Sequence, residues 1–423
     1  MNAMSPNPPA AGAPCLDTLE ALPPAQRWPL ARDWIARAPR PFFAQLRRRR
    51  PVLDCGAVIL VAERGEIEQI LSLPRLFTVG LYGPKMGEFM LAMDETEVNY
   101  RDKAVMRSVL TWRDLPVVRA MAGATADEVL DAAGGAVDVV AALSRLVPLR
   151  VVQRHFGFDA PDADLLRWSF ANQCDQFNNL PFDERPDADA VHAAAEQARV
   201  EMRAAFARLI PARLQAIAAG TAADDTLTRV LRLHLPEAAG FGMDRVVINV
   251  GGLLIGAIET TSEAIANALC ELLGRPDILP AACEAARAGP AAFDGYVWEA
   301  LRFAPIVAFM FRQASADTIL GRGTPHEMPV AKGRVVLPLS LSAMFDETRV
   351  PDPERFDPAR PAHTYLHFGQ GHHECLGRYV AGEMIPEVVR RVLLRADVCA
   401  AGPIDDGGTP FPASFPITYR PCR

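Results

Sequence analysis

The chain has 423 residues, half of them hydrophobic, and a formal net charge of −7. This composition allows a large buried core, and the acidic balance argues against a general nucleic-acid-binding surface. The eight cysteines are scattered and contain no CxxC pair. That distribution is typical of reduced thiols and does not suggest a disulfide framework or a zinc site.

The N-terminal part predicts neither a secretion signal nor a membrane anchor. Residues 1–14 are rich in Pro and Ala and lack a basic stretch followed by an apolar core. The longest apolar run, residues 246–258, has about 13 residues, fewer than the roughly 20 that a membrane span needs. We therefore expect a cytoplasmic chain without a membrane segment. It should have an irregular lead-in over residues 1–40 and one domain over residues 41–423.

The first third of the chain alternates short predicted elements. A helix is predicted over residues 41–49, and it ends in four arginines that are either a solvated helix end or a docking patch for an acidic partner. Two short strands are predicted around Gly56, then a helix over residues 63–73. Residues 79–87 read as an apolar, glycine-punctuated loop without phosphate-binding spacing. Residues 102–110 and most of residues 120–219 are predicted to be helical.

Residues 241–273 predict one long helix of about 50 Å. It is apolar on nearly all sides until Glu259, Thr260 and Thr261. A buried carboxylate is costly, and a threonine hydroxyl can bond back to the preceding turn and bend the helix. Local violations of this kind are expected at functional sites.

The most specific feature is the run 367–378, in which three glycines surround Cys375. Gly369 and Gly371 suit a tight loop, and a helix is predicted to follow Gly377. Free N–H groups and the dipole at a helix start favour a thiolate. On these grounds alone Cys375 is an inert buried cysteine, a metal ligand, or a nucleophile with His373 as its base.

The spacing decides among these readings. The pattern Phe-Gly-x-Gly-x-His-x-Cys-x-Gly is filled at all of its fixed positions by Phe368, Gly369, Gly371, His373, Cys375 and Gly377. In this the chain resembles the cytochrome P-450 family, and its soluble bacterial type in particular, over roughly residues 40–423. The resemblance implies a mainly α, single-domain P-450 fold with a smaller β region. It also implies that Cys375 is the axial ligand to the iron of haem b (iron protoporphyrin IX), with Phe368 beside the sulfur and His373 facing a haem propionate.

A second motif supports the same resemblance. Gly256, Glu259 and Thr260 match the acid–threonine pattern of the family's oxygen-binding helix, and Ala257 stands where a glycine is usual. The resemblance implies that Thr260 orders water near bound dioxygen and that Glu259 supplies protons. These are the two residues expected to be catalytic.

A third motif concerns the frame around the cofactor. Glu299 and Arg302 match the family's Glu-x-x-Arg pair, and the resemblance implies Arg355 as the third member of a buried trio. After Pro305 an extended apolar strand is expected. The cations expected at the haem propionates are Lys103, Arg107 and Arg312.

The resemblance implies a monooxygenase that inserts one oxygen atom from O2 into a lipophilic or aromatic small molecule by hydroxylation or epoxidation. Such an enzyme would serve bacterial secondary or catabolic metabolism. Electrons are expected from NAD(P)H through a ferredoxin and its reductase, or a flavodoxin, docking near Cys375 on a monomeric chain. No nucleic acid or membrane partner is expected.

Two alternatives stay open. One is a peroxide-driven oxygenase or a non-oxygenating haem-thiolate isomerase or dehydratase, against which Glu259 and Thr260 argue. The other is a haem-based gas sensor. The apolar residues expected to line the substrate pocket are Leu81, Tyr82, Phe177, Ile255, Ala257, Ile306, Val307, Phe309 and Phe415.

Overall fold

The computed structural model describes residues 13–183 and 186–421. The prediction that the chain begins without a secretion signal therefore lies mostly outside the described residues. The described chain forms two compact units, each assembled from three stretches. The first unit holds the residues up to 81 with 307–356 and 361–374, and the second holds 82–306, 357–360 and the residues from 375 onward.

The described chain is mainly α-helical, as predicted. The α-helices are α1 (Leu16–Glu20), α2 (Pro24–Arg37), α3 (Pro39–Arg49), α4 (Arg64–Ser72), α5 (Gly83–Met86), α6 (Glu97–Val109), α7 (Leu115–Ala133), α8 (Leu146–Val151), α9 (Asp162–Asn178), α10 (Ala188–Ala218), α11 (Thr226–Arg232), α12 (Met243–Ala257), α13 (Glu259–Leu273), α14 (Leu279–Ala288), α15 (Pro290–Phe303), α16 (Ser340–Met344) and α17 (Arg378–Leu393). Two π-helical segments, Val139–Ser144 and Val152–Phe156, flank α8.

The strands are short and form a smaller part of the fold. They are β1 (Val52–Asp54), β2 (Val58–Val61), β3 (Phe77–Thr78), β4 (Ala136–Asp138), β5 (Arg312–Ala314), β6 (Thr318–Leu320), β7 (Met328–Val330), β8 (Val335–Pro338), β9 (Ala396–Ala400) and β10 (Pro416–Arg420).

The first unit is built on a five-stranded sheet in the order β1–β2–β8–β5–β3. β1 and β2 form the predicted antiparallel pair around Gly56, whose φ of +75° is a conformation that glycine adopts without strain. β8 runs parallel to β2 and antiparallel to β5. Because β2 is buried at every position, its sequence is continuously apolar and does not alternate.

The predicted irregular lead-in over residues 1–40 was wrong for its described part. Helices α1 and α2 lie within it, α3 begins at Pro39, and the same unit continues past residue 40. Pro24 and Pro39 occupy the first helical turn, where the missing proline N–H leaves no helical bond unmade. The prolines that suggested irregular chain are helix starts, so residue 40 does not mark a boundary between compact units.

The second unit contains α5–α15, α17 and the antiparallel sheet β4–β10–β9. α17 packs along α7 and also against α13 and α15. Ile265 and Leu269 on α13, and Val388 and Val392 on α17, have no solvent exposure. Their spacing of four residues places each pair on one helix face, which is the pattern of a buried helical seam.

The predicted long helix over residues 241–273 is divided into α12 and α13 at Ile258. Taken together, residues 243–273 are the one stretch of the described chain that is long and apolar enough to span a membrane. Within this stretch, 56% of the most apolar 18-residue segment is buried inside the protein, as in the core helix of a globular domain.

One face of α15 is covered by residues 357–360 of the same unit. Glu299 Oε1 accepts hydrogen bonds from Arg302 Nη2 (2.6 Å), the Asp357 backbone N–H (2.9 Å) and Arg360 Nε (3.2 Å). Glu299 and Arg302 are completely buried, so the predicted ion pair forms. Arg360, which the sequence reading did not single out, adds a second guanidinium. One turn earlier, a Cβ at Gly295 would lie 2.1 Å from the Pro358 carbonyl oxygen.

The contact at Gly295 makes a stability prediction. In Gly295→Ala the new methyl group meets a backbone carbonyl that cannot move aside, so we expect the free energy of unfolding to fall by roughly 2–3 kcal/mol. Urea denaturation followed by circular dichroism measures the change. The matched control is Gly382→Ala on α17, where no atom lies within 4 Å of the added Cβ. That variant should match or exceed wild type by up to about 1 kcal/mol through helix propensity, and equal losses in both would contradict the steric explanation.

Candidate active site

The break between α12 and α13 interrupts the predicted long helix in its middle. Ile258 has φ −87° and ψ −65°. Side chains donate hydrogen bonds to the carbonyls of the three residues that precede Ala257. The hydrogen bonds run from Thr260 Oγ1 to Gly256 (2.7 Å), from Gln173 Nε2 to Ile255 (2.5 Å) and from Ser169 Oγ to Leu254 (3.4 Å). The back-bonding predicted for a threonine hydroxyl is present at the break.

An open groove lies beside this break. Gly256 is exposed to solvent although Leu254 and Ile258, two residues away on either side, are fully buried. No atom lies within 4 Å of the place where a Cβ would stand on Gly256. Thr260 is half-buried and hydrogen-bonds to this same glycine, so its hydroxyl sits at the edge of the open space.

Glu259 is buried and held by a cation. Its side chain is 2% exposed, and Arg145 Nε donates to its Oε2 at 3.0 Å. Burial raises the pKa of Glu259, and the charge and hydrogen bond of Arg145 act in the opposite direction. The Arg145 guanidinium also donates to the Pro412 carbonyl (3.2 Å) and lies over the Phe170 ring, 5.8 Å from its centroid.

Sequence reasoning missed Arg145. The rule that a buried carboxylate needs a cation or a proton demanded some partner for Glu259, but Arg145 lies 114 residues earlier, directly after a π-helical segment. Next to it, the buried hydroxyls of Ser144 and Ser262 hydrogen-bond at 2.7 Å. The two elements are therefore joined at two adjacent points, which fixes where the guanidinium stands.

A second carboxyl was also missed. Glu263 lies four residues after Glu259 on α13, so the two side chains lie on one face of the helix. It is half-buried, and burial followed by the charge of Glu259 raises the pKa of Glu263 to about 8. This carboxyl is therefore mostly neutral at pH 7.

Cys375 belongs to the second unit and carries an exposed thiol. Its Sγ lies 3.8 Å from the position of a Cβ on Gly377, the residue that precedes the first turn of α17. Because α17 packs against α13, the segment with the cysteine leads into a helix that contacts the one bearing Glu259.

Lys103 and Arg107 lie on α6 and differ in exposure. Lys103 is 6% exposed, and burial together with the charge of Arg107 lowers the pKa of Lys103 to about 8. Arg107 is exposed. The adjacent Asp102 is fully buried and accepts hydrogen bonds from Arg245 Nε (2.8 Å) and Asn249 Nδ2 (2.6 Å), which ties α6 to α12.

The remaining predicted cofactor residues lie in the first unit. Gly369 and Gly371 have φ of +71° and +72°, as the loop prediction requires, and a Cβ at Gly371 would lie 2.8 Å from the Leu71 carbonyl oxygen. Phe368 and His373 are half-buried. The other first-unit residues with predicted roles are Arg312, which is buried on β5, and Arg355, which is exposed.

The predicted pocket residues divide between the units. In the second unit the Tyr82 and Phe177 rings meet edge to face at 5.5 Å, and Ile255 and Ala257 adjoin the groove at Gly256. Ile306 is half-buried there. In the first unit Leu81 and Phe309 are half-buried and Val307 is 46% exposed. The pocket roles of these residues stay predictions.

Two expectations about this region were wrong. Phe415 is completely buried, its N–H donates to Asp138 Oδ1 and its carbonyl accepts from the Val139 N–H, so it does not border open space. The strand expected directly after Pro305 begins only at Arg312: the Met310 N–H donates to the Pro338 carbonyl of β8 (2.9 Å), but residues 304–311 form no continuous ladder.

The second unit's side chains suit a flat cofactor with an acidic edge. It offers an exposed thiol just before a helix start, an open groove at Gly256, and in Lys103 a buried ammonium that a carboxylate would stabilise. A haem with its propionates has these complementary features, so the residues present fit the group that the cysteine motif implies.

Comparison with known proteins identifies one family. Residues 293–398 match the family described as Cytochrome P450. The chain is 30% identical over 294 residues to a putative cytochrome P450 133B2 of Xylella fastidiosa (strain 9a5c), covering 69% of this chain and 68% of that protein. It is 29% identical over 282 residues to the cytochrome P450 monooxygenase PikC of Streptomyces venezuelae, covering 66% and 61%. The solved structure of cytochrome P450 CYP109Q5 from Chondromyces apiculatus matches with a TM-score of 0.75 at 22% identity, over 92% of this chain and 97% of that one.

The fold and the site define a mainly helical oxidoreductase of a class that uses haem and O2. The chain belongs to the cytochrome P450 family, and it is a P450 monooxygenase of the bacterial kind. Because the chain is an enzyme of this class, the gas-sensor alternative is not retained.

The raised pKa of Glu263 predicts how stability depends on pH. Unfolded, this carboxyl releases its proton near pH 4.5, whereas folded it keeps the proton up to about pH 8. Between these values the folded chain binds more protons, so raising the pH favours unfolding. Measured by urea denaturation, wild type should lose on the order of 3 kcal/mol relative to Glu263→Gln between pH 5 and pH 8. A difference that stays constant over this range would contradict the assignment.

Proposed function

We propose that this chain is a haem-thiolate monooxygenase in which the Cys375 sulfur would hold the haem iron and the groove at Gly256 would receive dioxygen. It inserts one oxygen atom from O2 into a lipophilic or aromatic small molecule, by hydroxylation or epoxidation. When bound, haem b supplies the iron that binds and activates dioxygen. The proposal rests on the break at Ile258, where an open groove at the end of α12 meets a threonine hydroxyl and a buried carboxylate at the start of α13.

The chain's own residues have distinct tasks at this groove. Thr260 donates its hydroxyl hydrogen to the Gly256 carbonyl, so its oxygen lone pairs face outward and accept a hydrogen bond from a water in the groove. Glu259 is fixed through Oε2 by Arg145, and no described residue donates to its Oε1. That oxygen is therefore the one through which a proton moves.

Other residues hold the cofactor. Cys375 supplies the sulfur, and the backbone around Gly377 and Arg378 lies close to it at the start of α17. Lys103 and Arg107 on α6 supply cations for the propionates. The charged form of Lys103 is stabilised most, because a carboxylate offsets the cost of burying its charge. The roles that the resemblance implies for Arg312, His373 and Phe368 stay predictions.

The reaction needs electrons, and we assign their delivery to an acidic ferredoxin with its NAD(P)H-dependent reductase. An aromatic patch supports this. Trp112 is 68% exposed and its ring contacts that of Tyr379, which is 47% exposed, at a tilt of 48° with the centroids 4.3 Å apart. The Arg378 guanidinium lies over the Tyr379 ring (5.3 Å), and the exposed Arg113 adjoins Trp112.

This patch has the composition of a binding surface. Exposed tryptophan, tyrosine and arginine side chains are enriched at binding hot spots, and arginines steer an acidic partner. Tyr379 lies four residues after Cys375, in the first turn of α17. A small electron-transfer protein requires a docking surface near the haem ligand, and this patch offers one. We further propose that the chain is soluble and cytoplasmic, where such a partner can reach it.

The proposed ligand is tested by Cys375→Ser. Because a hydroxyl cannot replace the thiolate donor, the dithionite-reduced variant should lose the carbon monoxide absorption band that gives the family its name. The matched control is Cys399→Ser, an exposed cysteine on β9 of the same unit, which should keep the band. A band that survives in Cys375→Ser would remove this residue as the ligand.

The oxygenation itself is tested with substrates found by screening a library of lipophilic compounds for a haem spin-state shift. Product formation with NADPH, ferredoxin and reductase is the expected result. Turnover with peroxide alone, and none with the electron-transfer chain, would establish the peroxide-driven alternative.

The docking patch makes a separate prediction. Trp112→Ala should raise the ferredoxin KM by roughly tenfold or more, as expected for loss of an interface hot spot, and should leave the carbon monoxide band unchanged. Steady-state NADPH oxidation against ferredoxin concentration measures it. The control is Tyr100→Ala, which removes another exposed aromatic side chain (52% exposed) from α6. Equal effects of the two variants would show that Trp112 is not part of the interface.

A further inference from the structure

One carboxyl near the groove has no part in the acid–threonine pair. Glu263 follows Glu259 by four residues on α13, at a spacing that brings side chains to about 5–6 Å at their Cβ atoms. Among the described residues no hydrogen bond or ion pair reaches its carboxyl group, and the nearest charge that acts on it is that of Glu259. Burial without a cation favours the neutral form of a carboxyl.

The two carboxyls on this face differ in their electrostatic surroundings. Glu259 has the Arg145 guanidinium at 3.0 Å, which favours the carboxylate. Glu263 has no such cation, and a neighbouring carboxylate disfavours a second negative charge. Where two acids stand close and their environments give them different pKa values, one is the proton donor and the other the acceptor.

Two of the helices that pack against α13, α15 and α17, carry charged groups that bind each other. On α15, Glu299 and Arg302 bind each other. On α17, Glu387 is bound by Arg390 and Arg391 at 2.7 Å each. None of these ion pairs supplies a charge to Glu263, and the one charge that acts on it is that of Glu259 on its own helix.

We propose that Glu263, and not Glu259, holds the resting proton of this site and reloads Glu259 during turnover. This rests on the proposed monooxygenase function. Glu259, ionised beside Arg145, has no proton to give until it receives one. The O–H bond of Glu263 breaks, an O–H bond forms on Glu259 directly or through one water, and Glu259 passes that proton to water at Thr260. Glu263 then takes a proton from solvent, so the two carboxyls end as they began.

The location of the proton is tested without turnover. Infrared difference spectra of wild type, Glu263→Gln and Glu259→Gln at pH 7 report the C=O stretching band of a neutral carboxylic acid. We expect the band in wild type and in Glu259→Gln, and its loss in Glu263→Gln. Its loss in Glu259→Gln, with retention in Glu263→Gln, would overturn the proposal.

The transfer is tested on the haem-loaded enzyme. With NADPH, a plant-type [2Fe–2S] ferredoxin and its reductase, Glu263→Gln should consume oxygen roughly tenfold more slowly and with a larger solvent isotope effect in D2O. Glu263→Asp keeps a carboxyl and should recover part of the rate. The control is Glu271→Gln, two turns further along α13, whose carboxylate is paired with Arg275 at 2.6 Å and which should behave as wild type.

The outcomes separate this inference from the function on which it rests. Wild-type rates and isotope effects in Glu263→Gln would overturn the relay while leaving the monooxygenase assignment in place. Absence of NADPH-driven oxygen consumption in wild type itself would count against the proposed function and the relay together, and the infrared comparison would still decide which carboxyl carries the proton.

Discussion

The ion pair between Arg145 and Glu259 is the interaction on which the oxygen side depends. A carboxylate that is 2% exposed in the middle of an apolar helical stretch is unstable unless a cation stands beside it. Arg145 provides that cation from the end of a π-helical segment and is itself anchored on the Pro412 carbonyl. Because this one guanidinium binds Glu259 and does not bind Glu263, two acids of the same type on one helix face have different electrostatic surroundings.

The break at Ile258 shows how one irregularity can serve both stability and chemistry. Interrupting a helix exposes carbonyls that need donors, and here Thr260, Gln173 and Ser169 supply them. The same interruption leaves open space at Gly256. Thr260 is thus held by the carbonyl that it satisfies, so its position at the groove follows from a backbone requirement and does not depend on a flexible side chain.

The second unit contains another buried ion pair, Glu299 with Arg302 on α15, whose charged groups are hydrogen-bonded. Glu299 and Arg302 have no exposure, and a buried pair of this kind is tolerable only when its remaining oxygens are also satisfied. The Asp357 N–H and Arg360 Nε complete the shell of Glu299. Residues 357–360 are thereby held on α15, and Gly295 is small enough to let the Pro358 carbonyl approach.

Local patterns determined the helices, the φ > 0 glycines Gly369 and Gly371, the Thr260 back-bond and the Glu299–Arg302 pair, since each depends on residues within a few positions of one another. The same locality misled the reading of the N-terminal prolines, which start helices. Arg145 and Arg360 were decided only by the tertiary structure, because they lie 114 and 61 residues from the carboxylates they bind. Nothing in a linear pattern selects one arginine among many. Burial exists only once distant segments have packed, and it is burial that raises the pKa of Glu263 and removes Phe415 from solvent.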